Sequence, residues 1–178
     1  MMIKKTYGLI LGIFILLLFA SGCTKKADNG GKITIENKFI PTAITSFTTT
    51  EEEICRVEGK PVIRLFSTSW CPHCAWIKNT YDKVTKEYQD QGKIVAYHWE
   101  VDTKDDLLTT AKEGEVPGKE LEVFKQYNPD GSIPTFVFGC KYVRIGNGYE
   151  QQDNLAAEEQ EFRLVIEDLL NQAKNENQ

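Results

Sequence analysis

The feature that most restricts the fold of this chain is the order of three neighbouring segments between Pro61 and Gly92. PVIRLFS is an apolar, β-branched run of strand length. It stops directly before SWCPHCAW, Ser69 to Trp76, which sets Cys71 and Cys74 three positions apart around Pro72 and His73. Behind the motif, Ala75, Ile77, Tyr81, Val84 and Tyr88 recur mostly at three- and four-residue steps, and Gly92 stands where a helix would end. The predicted order is therefore strand, paired cysteines, helix. A cysteine at the first turn of a helix directs its sulfur at unpaired backbone N–H groups and the positive end of the helix dipole, which stabilises a thiolate. Pro72 suits that turn, because its missing N–H costs the helix nothing and its fixed φ favours helical backbone.

Further along, KIVAYHWEV reads as a strand from Lys93 to Val101, with His98 and Glu100 on one face. KELEVFKQY, Lys119 to Tyr127, is the most helix-like part of the segment that follows. NPDG marks a turn, and IPTFVFGC with KYVRIG reads as a hairpin. The last element is DNLAAEEQEFRLVIEDLLNQAK, where Asp153 or Asn154 can cap and Phe162, Val165, Ile166, Leu169 and Leu170 form one apolar stripe. Upstream, Ile33 to Glu53 is mixed: ITIE suits a short edge strand and TTEEE the start of a helix.

With 178 residues and 41% apolar content, the chain supports one domain with appendages rather than two. It carries 21 basic against 26 acidic residues and no basic cluster, so there is no electrostatic footprint for nucleic acid. Lys4 and Lys5 precede the uncharged run from Tyr7 to Ala20, which is shorter than the roughly 20 apolar residues of a membrane-spanning helix and leads into Ser21, Gly22 and Cys23. That is the pattern of a secretory signal. ASGC resembles the bacterial lipobox, in which the cysteine is acylated and becomes the first residue. The resemblance assigns residues 1–22 to a lipoprotein-type signal peptide and Cys23 to lipidation. Polar, glycine-containing residues 23–32 read as a tether, 33–60 as an N-terminal extension, and 61–174 as the domain itself. Removal of residues 1–22 takes away two lysines and no acids, leaving a domain more acidic than the formal −5 of the whole chain. Such a domain is not drawn to anionic lipid, so the membrane would be held through the acyl chains.

The order βαβ, crossing helix, ββα resembles the thioredoxin fold from about Pro61 to Ala173. Two motifs carry the resemblance: WCPHC at the start of a helix, and Ile133-Pro134 at the opening of the next-to-last strand, where thioredoxin-like proteins place a cis-proline facing the disulfide. The resemblance implies an α/β thioredoxin-like fold with a central mixed β-sheet flanked by helices. It makes Cys71 the exposed attacking thiol and Cys74, one turn inward, the resolving thiol that closes the disulfide and releases the substrate. Ile133, before the cis-proline, helps set substrate choice and potential. Trp70 is expected to shield the disulfide and offer a flat apolar contact to peptide substrates, whereas Trp76 and Phe66 read as core. A structural zinc site would demand four ligands, and the sequence has no second CxxC or paired histidine; neither a metal nor a bound cofactor is expected.

The Pro-His pair resembles DsbA-type oxidants. A cationic His73 would favour the Cys71 thiolate, stabilise the reduced protein and strengthen the disulfide as an oxidant; the alternative is a solvated first-turn residue. Leu65 stands where thioredoxins place a buried acid, six residues before the first cysteine. His98 and Glu100 are then candidate proton acceptors for Cys74, or two ordinary polar residues near a strand end. The 62 residues between Cys71 and Pro134 leave room for about one extra helix and not for the helical domain of DsbA. Ile133 is thioredoxin-like, so signals for oxidation and reduction are mixed. The expected function is an extracytoplasmic, membrane-anchored thiol–disulfide oxidoreductase acting on cysteine-containing exported proteins, with a membrane redox partner deciding its direction. A redox-inactive binding module and a copper or zinc carrier using the CPHC cysteines stay open. Cys55 and Cys140 remain as an even pair in an oxidising compartment, either a structural disulfide between neighbouring ends of the sheet or a second redox pair.

Overall fold

The computed structural model describes residues 38–175, so the expected signal segment, Cys23, the expected tether and ITIE lie outside the described residues. The strands are β1 (Thr48–Thr49), β2 (Arg56–Val57), β3 (Lys60–Ser67), β4 (Val95–Glu100), β5 (Asp105–Asp106), β6 (Thr135–Phe138) and β7 (Tyr142–Ile145). The helices are α1 (Pro72–Asp90), α2 (Gly118–Tyr127) and α3 (Leu155–Asn175), with a 3-10 turn at Glu150–Gln152. The sheet runs β1-β7-β6-β3-β4-β5, and β2 pairs with β3 off that path. β3 and β4 are parallel and the other pairs antiparallel, which makes the sheet mixed. β3 lies at its centre and is buried along almost its whole length, as its unbroken apolar run requires.

Alternation along the strands sorts two cores. Ile63, Leu65, Ala96, Phe136 and Phe138 face one side, where Ile77, Tyr81 and Val84 of α1 and Phe162, Val165 and Leu169 of α3 cover them. Phe66, Trp99 and Val137 face the other side, against Leu121 and Phe124 of α2. Asn154 caps α3, its Oδ1 accepting from the Ala157 amide at 3.1 Å. Ala75, expected on the apolar stripe of α1, is exposed and lies beside the cysteine motif instead of over the sheet.

TTEEE does not begin a helix. Thr48 and Thr49 form an edge strand on β7, and the Thr50 amide donates to the Lys141 carbonyl at 2.8 Å. Branched threonines suit that extended backbone. The segment before β3 belongs to the same core, with Phe47 and Ile54 buried in it and Ile44 packed against it. Cys55 and Cys140 form a disulfide, with their Cα atoms 5.4 Å apart. Beneath β1, Arg144 is buried against the rings of Phe47, Phe136 and Phe162 and pairs with Glu158 at 2.6 Å and Glu161 at 3.4 Å. Glu161 also accepts from the Thr45 and Ser46 amides, fastening this segment to α3. Among the described residues no helix is long and apolar enough to cross a membrane.

Candidate active site

At the end of β3 the chain turns through Thr68–Trp70 into α1. Asp102 fixes the turn by accepting from the Ser69 amide at 3.0 Å and the Ser69 hydroxyl at 2.6 Å, and these bonds, the hydroxyl first, hold its carboxyl below the usual range. Cys71 is the N-cap of α1, with φ −82° and ψ 118°, and its Sγ accepts from the Cys74 amide at 3.2 Å. The sulfur therefore takes the place that a serine or aspartate oxygen usually fills at a helix start. Pro72 follows in the first turn.

Neither Cys71 nor Cys74 is in a disulfide, and both are buried, 4% and 3% exposed. The expectation of an exposed Cys71 is corrected here: its sulfur is folded back onto the helix terminus and faces the Ile133 carbonyl at 4.0 Å. The Ile133-Pro134 peptide is cis, as the motif implies. Beside it opens a groove of about 400 Å3 lined by His73, Ile133, Pro134, Gly146, Asn147 and Glu150. Trp70 is 71% exposed and stands out from the surface next to the motif. Trp76 packs against the rim of the core and donates Nε1–H to Asp153 at 3.0 Å, while Phe66 is wholly buried against Phe124.

The two thiols are chemically unequal. Burial first, and then the hydrogen bond with Cys71, push the Cys74 thiol up to about 12. Cys74 therefore stays protonated at neutral pH until something takes its proton.

His73 is largely in solvent, and its Nδ1 lies 2.8 and 2.9 Å from the two carboxylate oxygens of Glu150. Asn147 Nδ2 donates both to Glu150, at 2.8 Å, and to the His73 carbonyl, at 2.9 Å. His73 is thus held by a carboxylate 77 residues along the chain, a pairing that no local pattern could disclose. His98 and Glu100 both lie by Cys74. His98 is the register partner of Leu65 on the parallel neighbour and is wholly buried, with Nε2 2.9 Å from Ser67 Oγ and Nδ1 2.6 Å from Asp82 Oδ1. Glu100 accepts from Thr103 Oγ1 at 2.7 Å. Together with Cys74, Ser67, Thr68 and Lys78 they line a cavity of about 110 Å3. Asp82, Ser67 and Glu150 are the site residues that sequence reasoning missed. Asp82 lay on what reads as the wet face of a helix, and nothing local linked it to His98. Among the described residues no three of His, Cys, Asp and Glu gather as a metal site.

A dithiol that caps a helix behind the central strand of a mixed sheet, opposite a cis-proline, is the arrangement of a thioredoxin-like domain. The chain belongs to the thioredoxin-like domain family, whose pattern it matches over residues 49–162. A search of curated proteins found no match.

Proposed function

We propose that the protein is an extracytoplasmic, membrane-tethered thiol–disulfide oxidoreductase that exchanges a Cys71–Cys74 disulfide with the cysteines of exported proteins. The observation that carries this reading is the position of Cys71 Sγ: at the N-cap of α1, accepting from the Cys74 amide, and beside the cis-proline groove. A helix N-terminus is a place where proteins set reactive cysteines, and it calls for neither a metal nor a bound cofactor. As a reductant, the Cys71 thiolate attacks a substrate disulfide, one substrate sulfur leaves as a thiol, and a mixed disulfide forms. Cys74 then attacks Cys71 Sγ and releases the second substrate sulfur. As an oxidant, the protein runs the same steps backwards. A membrane redox partner sets the net direction.

The charged start, apolar run and Cys23 of the sequence support export and lipid anchoring, and the Cys55–Cys140 bridge is of a kind that persists in oxidising compartments. Cys74→Ser should trap mixed disulfides with exported cysteine-containing proteins, visible as adducts that collapse on reduction, and Cys71→Ser should trap none. Absence of adducts in Cys74→Ser, together with no reaction of Cys71 with a small disulfide, would sink the catalytic reading in favour of a redox-inactive binding module. For the anchor, Cys23→Ser should lose the lipid mass on the first mature peptide and the partition into detergent. Unchanged processing and partition in that variant would remove lipidation from the proposal.

A further inference from the structure

Resting on the oxidoreductase reading, we propose that Ser67, His98 and Asp82 form a proton relay between Cys74 and solvent. Cys74 is 3% exposed, so its thiol has little direct contact with bulk water. Its side chain does border the 110 Å3 cavity, whose other walls are polar except for Ala75: Ser67, Thr68, Ser69, His98, Glu100 and Lys78. Thr68 Oγ1 is buried there with no hydrogen-bond partner among the described residues, and such an atom calls for a hydrogen-bonding guest. A space of this size and polarity suits a short chain of water molecules.

The geometry gives the relay a direction. A carboxylate only accepts, so Asp82 at 2.6 Å fixes the hydrogen of His98 on Nδ1, and Nε2 is left as the acceptor. Ser67 Oγ–H then donates to Nε2 at 2.9 Å, turning its own lone pairs toward the cavity. A proton arriving at Ser67 Oγ passes that hydroxyl hydrogen on to Nε2, and the resulting imidazolium faces the Asp82 carboxylate. The Asp82 side chain is 25% exposed, which opens the far end of the relay to water. Other groups facing His98 are the Tyr81 ring of α1, edge-on at 5.6 Å, and Asp106 of β5, which accepts from the His98 amide at 2.8 Å. Glu100 of β4 and Lys78 of α1 face the shared cavity with charges of opposite sign.

The chemistry balances in both directions. When Cys74 resolves a mixed disulfide, its S–H bond breaks and the proton moves through the cavity to Nε2. The thiolate electron pair makes the Cys74–Cys71 bond, the bond from Cys71 to the substrate sulfur breaks, and that sulfur leaves with the pair as a thiolate. The dithiol has then been oxidised and the substrate reduced. When substrate thiolate attacks the Cys71–Cys74 disulfide instead, Cys74 leaves as the thiolate and the relay returns its proton. His98 is the relay base, and Asp82 is a positioning residue that acts through it.

The test is stopped-flow reaction of the full chain carrying Cys23→Ser, with Cys71 and Cys74 reduced and the Cys55–Cys140 bridge intact, with 5,5′-dithiobis(2-nitrobenzoate) between pH 6 and 9, in which Cys71 releases one coloured thiolate and Cys74 the second. His98→Asn should slow the second release by roughly a hundredfold at pH 7, in line with the size of general-base effects, and leave the first near its original rate. The deficit should shrink toward pH 9 as hydroxide takes the proton. Asp82→Asn should slow the second release by several-fold and shift its pH profile; because this side chain reaches solvent, it carries the test alone if His98→Asn does not fold. A second release of unaltered rate and pH profile in the folded variants, or equal slowing of both releases, overturns the relay. A wild-type chain with no second release overturns the oxidoreductase reading instead.

Discussion

Between the two cysteines, His73 and its partner Glu150 set how much charge stands beside the N-terminus of α1. An isolated imidazolium there would favour the Cys71 thiolate, but the pair with Glu150 puts a compensating carboxylate 2.8 Å from the ring. The His73 side chain is 62% exposed, and exposed pairs contribute only about 0.2–1 kcal/mol. For a two-electron couple, where about 30 mV corresponds to 1.4 kcal/mol, the effect on the potential is then about 5–20 mV. His73→Pro should move the potential toward the reducing side by that amount, since it deletes the ring that stands beside the helix terminus. Glu150→Gln should move it the other way, since it deletes the opposing charge. Equilibration with glutathione buffers measures both, and two unmoved potentials would leave His73 as a surface residue with no tuning role.

Elements differ in how they are held, and the charged ones are the easiest to perturb. Arg144 on β7 neutralises Glu158 and Glu161 of α3 inside the core. Arg144→Met should therefore cost about 3–5 kcal/mol, because it leaves two buried carboxylates without a countercharge. A urea midpoint that falls by less than the equivalent of about 1 kcal/mol would show the cluster to be dispensable. The loop after β5 depends on pH instead. Glu113 accepts from Thr109 Oγ1 at 2.6 Å and the Asp106 amide at 2.9 Å, and these bonds, the Thr109 one first, bring its carboxyl down to about 2. A depressed carboxyl contributes stability above its ordinary value of 4.5, and this is lost as pH falls toward 2. Protection of the Asp106 amide, taken relative to its intrinsic exchange rate at each pH, should fall over that window in the wild type and stay constant in Glu113→Gln; identical protection profiles would refute the role of Glu113. These charged clusters also mark the limit of what the sequence disclosed. PVIRLFS, the stripe of α1 and that of α3 were legible because a strand or helix in contact with a core repeats its apolar residues at its own period. β1, β2 and β5 were not, because each has two residues and owes its existence to pairing with a distant strand. Arg144, Glu158 and Glu161 read as surface charge, since their burial depends on one another and not on neighbours in sequence. In the site, Cys71, Cys74 and the cis-proline were legible as motifs, whereas the burial of Cys71 and the partners Glu150, Asp82 and Ser67 arise only when α1, β3, β4 and the turn before α3 are brought together.

On the scale of the whole molecule, the two sulfur pairs occupy opposite ends of β3. Cys71 and Cys74 follow its last residue, while the Cys55 carbonyl accepts from the Val62 amide near its first, at 3.1 Å. The Cys55–Cys140 bridge joins that end to the β6–β7 turn, across a sequence separation of 85 residues. The turn is closely fitted: Gly139 has φ +60°, and a Cβ there would come within 2.6 Å of Leu169 Cδ2. Arg64 Nη1 donates to Cys55 Sγ at 3.3 Å while the same guanidinium is paired with Glu120 through Nε and Nη2, so the bridge also rests against a buried ion pair. A cross-link of this span removes much of the freedom of the unfolded chain, worth about 4–5 kcal/mol in the chain-entropy description. Cys55→Ser/Cys140→Ser should accordingly lower the urea midpoint by an amount equivalent to about 4 kcal/mol, with much of the loss arising in the unfolded state. The rates of both coloured-thiolate releases from Cys71 and Cys74 should stay within about twofold of wild type, because the bridge lies a strand length away from the helix terminus that governs them. Equal midpoints would deny the bridge its structural role. A folded double variant that resolves small mixed disulfides normally but cannot be re-reduced or re-oxidised by the proposed membrane partner would instead make Cys55 and Cys140 a second redox pair on the route of the electrons.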